Sequence, residues 1–183
     1  MTTPRRTYTV KLAGHTRELP LFQVAPGIRI AIFNMLGDTE IVQAVSRELA
    51  KRLPNEVQAL VTAEAKSIPL AYALSVETGL PYVVLRKSYK PYMGEALSAE
   101  TLSITTGEKQ TLYLDEKDRV LVEGRSVAIV DDVISTGSTL QGMQLIMEKV
   151  GAKVIAQAAV FTEGERARWK NIIALGHLPV FAE

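Results

Sequence analysis

Residues 127–139, Val-Ala-Ile-Val-Asp-Asp-Val-Ile-Ser-Thr-Gly-Ser-Thr, are the stretch best suited to chemistry. A hydrophobic run leads into two adjacent acids, then into a small hydroxyl-rich loop, then into a helix. Each part has a physical job. The buried run fixes the base of the loop, and Gly137 lets backbone approach a ligand closely. Ser135, Thr136, Ser138 and Thr139 offer hydroxyl donors. The helix start adds free N–H groups and the positive end of a dipole, which together make a phosphate site without any lysine. Asp131 and Asp132 would repel a phosphate, but carboxylates accept hydrogen bonds from vicinal hydroxyls about one sugar length away. The combination points to a sugar 5-phosphate. The alternative without function is a strand, a polar turn and a Ser-capped helix that carry paired acids by chance. The stretch is not a Walker loop, because no Gly-Lys-Ser/Thr is present, and its glycine spacing is not that of a dinucleotide fingerprint.

Other side chains carry weaker signals. Lys66 follows a buried run in a loop, where it is either a ligand or a solvated lysine. Arg86 and Lys87 end another apolar run and are either anion contacts or a solvated pair. Tyr89 and Tyr92 can stack on a base or simply pack at the surface. Glu163 stands after the last apolar run. Trp169, Phe161 and Phe181 read as core or interface rather than as a base platform. His15 and His177 have no sequence partners and are taken as non-catalytic. The chain has no cysteine, which excludes disulfides, thiol nucleophiles and cysteine metal sites.

The elements that must position these residues follow from patterning. Tyr8, Val10 and Leu12 alternate with polar residues and suggest a strand, while Pro20 to Gly27 reads as irregular. Ile28, Ile30 and Ile32 suggest a second short strand. Asp38 caps a helix to about Leu53, with Ile41, Val45 and Leu49 on one stripe. Val57 to Thr62, Tyr82 to Leu85, Ser126 to Val130 and Val154 to Phe161 read as buried strands. Helices fall at Pro69 to Thr78, with Gly79 as C-terminal cap, and at Ser138 to Val150. Strand-helix alternation at this spacing implies an α/β fold with a parallel sheet, whose ligands bind at the carboxyl ends of the strands. Residues 88–120 break the rhythm and read as a long excursion with a two-stranded ribbon.

The whole chain fits one domain of 183 residues, long enough to bury a core. Hydrophobic residues make up 47% and charged residues 22%, which excludes disorder. With 21 Lys+Arg against 20 Asp+Glu, the net charge of +1 gives no reason to expect nucleic acid or an anionic membrane as partner. No apolar run is long enough to span a bilayer, and no signal-peptide block follows the basic N-terminus, so a cytoplasmic protein is expected.

The 127–139 stretch resembles the PRPP-binding motif of the type I phosphoribosyltransferases: apolar strand, Asp-Asp, two residues, then Ser/Thr-Thr-Gly-small-Thr. The resemblance runs from about Pro26 to Phe161. Pro26-Gly27-Ile28, followed by Gly37-Asp38 and a helix, is similar to the opening of adenine phosphoribosyltransferases. Glu64-Ala65-Lys66-Ser67-Ile68 stands where the family has its pyrophosphate loop. Three places depart from the adenine branch: Arg29-Ile30-Ala31-Ile32-Phe33 after the opening, Ile104-Thr105-Thr106-Gly107-Glu108 in the flexible loop, and Ser67, where the pyrophosphate loop often has Gly.

The resemblance implies a parallel-sheet core at about 36–162, a small hood from about 1–35 and 163–183, and a flexible β-ribbon that closes over the site. It implies a transferase that joins a purine base, with adenine favoured, to PRPP with Mg²⁺. The products would be a nucleoside 5′-monophosphate and pyrophosphate, in purine salvage. Asp131 and Asp132 would hold the ribose hydroxyls and, through PRPP, the metal. Ser135, Thr136, Gly137, Ser138 and Thr139 would cradle the 5′-phosphate. Ala65, Lys66 and Ser67 would hold pyrophosphate, and Arg86, Lys87 and Lys90 would neutralise it. Phe33 and Glu163 are candidate base contacts, and Glu108 a candidate catalytic carboxylate. A homodimer is expected. The alternatives are a transferase for xanthine, guanine or another acceptor, and a PRPP-sensing regulatory domain. Lys66 to Ala73 also resembles the ligand domain of the Gram-positive purine repressor, but the 25–35 residues before the match are too few for a DNA-binding domain.

Overall fold

The computed structural model describes residues 6–102 and 109–182. The chain order is β1 (Thr7–Leu12), β2 (His15–Ala25), β3 (Ile28–Ala31), α1 (Thr39–Ala50), β4 (Ala59–Ala63), α2 (Ile68–Thr78), β5 (Tyr82–Leu85), β6 (Leu97–Leu102) and β7 (Lys109–Leu114). It continues with β8 (Ser126–Ile134), α3 (Ser138–Lys149), β9 (Lys153–Glu163), β10 (Ile173–Leu178) and β11 (Val180–Ala182).

The centre is a five-stranded parallel sheet in the order β10-β9-β8-β4-β5. β4 is buried along its whole length because both sheet faces are covered. Alternate residues supply two separate cores. Leu60, Ala128 and Ala158 pack with Ile41, Val45 and Leu49 of α1 and Leu70 and Leu74 of α2. Val61, Val127 and Ile129 pack on the other face with Met143 and Ile146 of α3 and with Leu112 and Leu114 of β7. Helix ends follow the expected chemistry: Asp38 accepts from the Ile41 N–H, and Gly79 closes α2 in the left-handed conformation.

The hood is a four-stranded sheet, β1-β2-β3-β11. Its second strand covers the region read as irregular from sequence. Pro20 stands where β2 changes partner: His15 to Pro20 pair with β1, and Leu21 to Ala25 pair with β3. A proline at that handover breaks no run of pairing. Arg17 of β2 ties the hood to the core, with its guanidinium on Asp38 at 2.7 and 3.0 Å and on Glu40 at 2.6 Å.

One further expectation is corrected. Residues 173–178 are not hood but β10, the fifth strand of the central sheet. The segment is a half-buried edge strand with a glycine, so its pattern is weak; Gly176 is there because a Cβ would stand 2.6 Å from the Phe161 ring. The two-stranded ribbon is anchored on the central sheet. Met93 and Ala99 are buried along with Leu112 and Leu114, and Tyr113 bridges to Arg86. Its root therefore belongs to the second core.

Candidate functional site

Strands β4, β5, β8 and β9 are parallel, so their carboxyl ends share one edge of the sheet, and the candidate residues cluster there. β8 runs further than the sequence suggests, through Asp131 and Asp132 to Ile134. Both acids are therefore strand residues and buried, not loop residues beside the site. Asp131 Oδ1 accepts from the Asp132 N–H at 2.8 Å. Burial first, and then the neighbouring Asp132 charge, push the Asp131 carboxyl up to about 7.

Beyond β8 the chain forms a cup of about 40 Å³ lined by Asp131, Ser135, Thr136, Gly137 and Thr139. Gly137 adopts φ +85°, a conformation that disfavours side chains, and leads directly into α3. Thr136 Oγ1 lies 3.1 Å from Ser138 Oγ, and Thr139 Oγ1 donates to Gln110 of β7 at 3.3 Å. The far end of the ribbon, beside its hairpin loop, thus touches the rim of the cup.

The loop after β4 supplies the facing wall. The Glu64–Ala65 peptide is cis. Lys66 Nζ reaches Asp132 Oδ2 at 3.0 Å, which brings the lysine to the acid pair. Ser67 turns inward instead: its hydroxyl donates to the Ala63 carbonyl and lies 2.8 Å from Thr62 Oγ1, which is also 2.8 Å from the Val130 carbonyl. The Ser67 hydroxyl is therefore taken up by β4, while Thr62 ties β4 to β8.

At the end of β5, Arg86 Nε meets Glu64 Oε2 at 2.6 Å and the Lys87 N–H donates to Glu64 Oε1 at 2.5 Å. Burial would push the Glu64 carboxyl up, but the Lys87 N–H and the Arg86 guanidinium outweigh it and hold it below its usual range. Arg86 is thus part of a local ion pair, not a bare cation. Lys90 lies beyond, before a short 3-10 turn, and no described contact joins it to the acid pair. Glu108 lies outside the described residues.

A second cleft, about 150 Å³, adjoins the acid pair and is lined by Ile30, Ile32, Phe33, Lys66, Val133, Ser135 and Glu163. Phe33 contributes an edge only, since most of its ring is buried against Phe161 at 5.0 Å. Burial raises the Glu163 carboxyl, opposed by Lys66. The two histidines find partners away from the acid pair: His15 on Glu40, and His177 on Thr162. Sequence reasoning missed two contributors. Arg168 donates to the Thr136 carbonyl, and Trp169 Nε1 donates to the Glu163 carbonyl. Neither has a local pattern that would reveal it. Among the described residues no group of three or more His, Asp or Glu is placed to hold a metal by itself, and no helix is long and apolar enough to cross a membrane.

A family model for the phosphoribosyl transferase domain matches residues 34–175. The chain is 35% identical over 130 residues to a hypoxanthine/guanine phosphoribosyltransferase of Methanococcus voltae, covering 71% of this chain and 66% of that protein. It is 33% identical over 138 residues to a hypoxanthine/guanine phosphoribosyltransferase of Methanococcus vannielii, covering 75% and 69%. Its aligned part thus spans about two thirds of those relatives. In fold it is similar to adenine phosphoribosyltransferase from Thermoanaerobacter pseudethanolicus, with a TM-score of 0.71 and 24% identity over 87% of this chain and 95% of that one. A second similar fold is adenine phosphoribosyl transferase from Trypanosoma brucei in complex with AMP, pyrophosphate, and ribose-5-phosphate. There the TM-score is 0.63 and the identity 17%, over 81% of this chain and 70% of that one.

Proposed function

Because the chain belongs to the phosphoribosyltransferase family, we propose that it transfers the phosphoribosyl group of PRPP to a purine base and releases pyrophosphate. One observation carries this reading: the buried Asp131–Asp132 pair lies between the hydroxyl-rich cup and Lys66, which contacts Asp132 at 3.0 Å.

In this reading the 5′-phosphate sits in the cup, held by the hydroxyls and N–H groups of 135–139. The acid pair accepts from the ribose hydroxyls and so orients C1. As the bond to pyrophosphate breaks, positive charge grows on the ribose and negative charge on the leaving group. The carboxylates stabilise the first, and Lys66 with the backbone of Ala65 and Ser67 stabilises the second, from positions fixed before reaction. Lys87 adds charge at the next strand end, while Arg86 serves mainly to hold Glu64. Two hard carboxylate oxygens suit Mg²⁺. With no three-ligand cluster among the described residues, the ion would arrive on PRPP and meet Asp131 and Asp132 through it, neutralising the leaving group. The base lies in the cleft of Phe33 and Glu163.

The opening segment favours adenine, whereas the curated relatives with the higher sequence identity carry hypoxanthine/guanine in their names. The test is nucleotide formation from adenine, hypoxanthine, guanine and xanthine with PRPP and Mg²⁺. At least one purine is expected to give its 5′-monophosphate. PRPP binding without product from any base would make the chain a PRPP sensor instead. We read the active form as a homodimer, and sedimentation at micromolar concentration showing a single-chain species would contradict that.

A further inference from the structure

Trp169 is the chain's single tryptophan and ends a short 3-10 turn, Arg166–Trp169, that follows β9. A Cβ at Gly137 would stand 2.9 Å from its ring, so the indole lies against the bare backbone of the phosphate cup. Its Nε1 donates to the Glu163 carbonyl at 2.9 Å. The Glu163 side chain lines the adjoining cleft. Arg168 completes the arrangement: its guanidinium lies 4.9 Å from the centroid of the indole ring and donates to the Thr136 carbonyl at 3.3 Å. One side chain thus touches both the loop that would hold the 5′-phosphate and the residue at the base cleft.

We propose that Trp169, braced by Arg168, is a positioning residue that holds the 135–139 loop and Glu163 in fixed relation, so that phosphate and base are presented to the same ribose carbon. This rests on the transferase reading above. The physical need is clear from the loop. Gly137 at φ +85° has no side chain to anchor it, and donors aimed at a phosphate are most effective when held in place before the ligand arrives. A flat ring on bare backbone restrains the loop without entering the cup, and the indole N–H sets the end of β9 against it.

Two variants separate the contacts. Trp169→Phe keeps a ring on Gly137 but loses the N–H to Glu163; Trp169→Ala loses both. Calorimetric titrations would use ribose 5-phosphate and pyrophosphate, with KM for the best purine base measured alongside. Trp169→Ala is expected to bind ribose 5-phosphate about tenfold more weakly than wild type, by loss of positioning. Trp169→Phe should keep that affinity within about twofold yet raise KM for the base severalfold. Both should bind pyrophosphate normally, since the β4 loop is untouched. In wild type, ribose 5-phosphate should shift the tryptophan emission and pyrophosphate should not.

Unchanged ribose 5-phosphate affinity in Trp169→Ala overturns the proposal. So does a parallel loss of pyrophosphate binding, which would mark a merely structural residue, or a silent emission on a ligand that calorimetry shows to be bound. If Trp169→Ala does not fold, the split between base KM and phosphate affinity in Trp169→Phe decides alone. Wild-type protein that binds neither ligand overturns the transferase reading itself and this inference with it, a result distinct from a variant that behaves like wild type.

Discussion

Asp131 has a carboxyl that is almost fully enclosed, next to a second acid, and its proton affinity follows from that. The folded value near 7 lies above the ordinary 3.8, so between those values the folded form holds the proton that the unfolded chain has released. Stability is therefore greatest below pH 4 with respect to this group and falls as pH rises towards 7. Asp131→Asn removes the penalty. It is expected to melt several degrees higher than wild type at pH 8 and to match wild type at pH 4. Differential scanning fluorimetry across pH 4–9 checks this, and a uniform loss of stability would make Asp131 a structural acid. The same variant should lose PRPP binding. Lys66 differs: its side chain is 51% exposed, so its pair with Asp132 adds little to stability, and its value lies in placing charge.

Elements decide how these residues are held. The ribbon formed by β6 and β7 is fixed at its root, because Leu112 is fully buried and packs where Gly142 of α3 leaves room. Leu112→Ala should cost about 2–5 kcal/mol, read as a lower denaturant midpoint, with its cavity also loosening Gln110 against Thr139. A cost below about 1 kcal/mol would mean that the root is not part of the core. The hood packs Val10, Leu12 and Leu19 into the first core and adds one guanidinium on two acids. Arg17 keeps Asp38 below its ordinary range, so that contribution is present at neutral pH and is lost as the medium is acidified through the lowered value. Arg17→Ala should speed hydrogen exchange of the β1 and β2 amides while leaving those of β4 and β8 unchanged. Equal acceleration in both sheets would show that the hood and core open as one unit.

At the scale of the whole molecule, ligand binding should appear as stability. A ligand held only by the folded state, at one hundred times its dissociation constant, adds about 2.7 kcal/mol, or roughly 5–11 °C for a chain of this size. PRPP with Mg²⁺ is expected to raise the melting temperature within that range, and EDTA to remove most of the gain if the ion bridges substrate and carboxylates. A PRPP-dependent rise that persists in EDTA would take the metal out of the binding step.

The sequence by itself determined the parallel core and most of the cup. The 127–139 stretch has local chemistry, alternation of apolar strands and helices marks the sheet, and capping residues such as Asp38 and Gly79 are read from neighbours a few positions away. Residue roles that depend on distant partners were not legible. Ser67 looks like a loop ligand until the Ala63 carbonyl and Thr62 take up its hydroxyl, and Arg86 looks like a free cation until Glu64 meets it. β2 was hidden by Pro20 and β10 by its edge position, since pairing partners lie far away in sequence. Trp169 carries no periodic signal at all. Its contact with Gly137 joins residues 32 positions apart, and only the closing of β9 beside β8 brings them together.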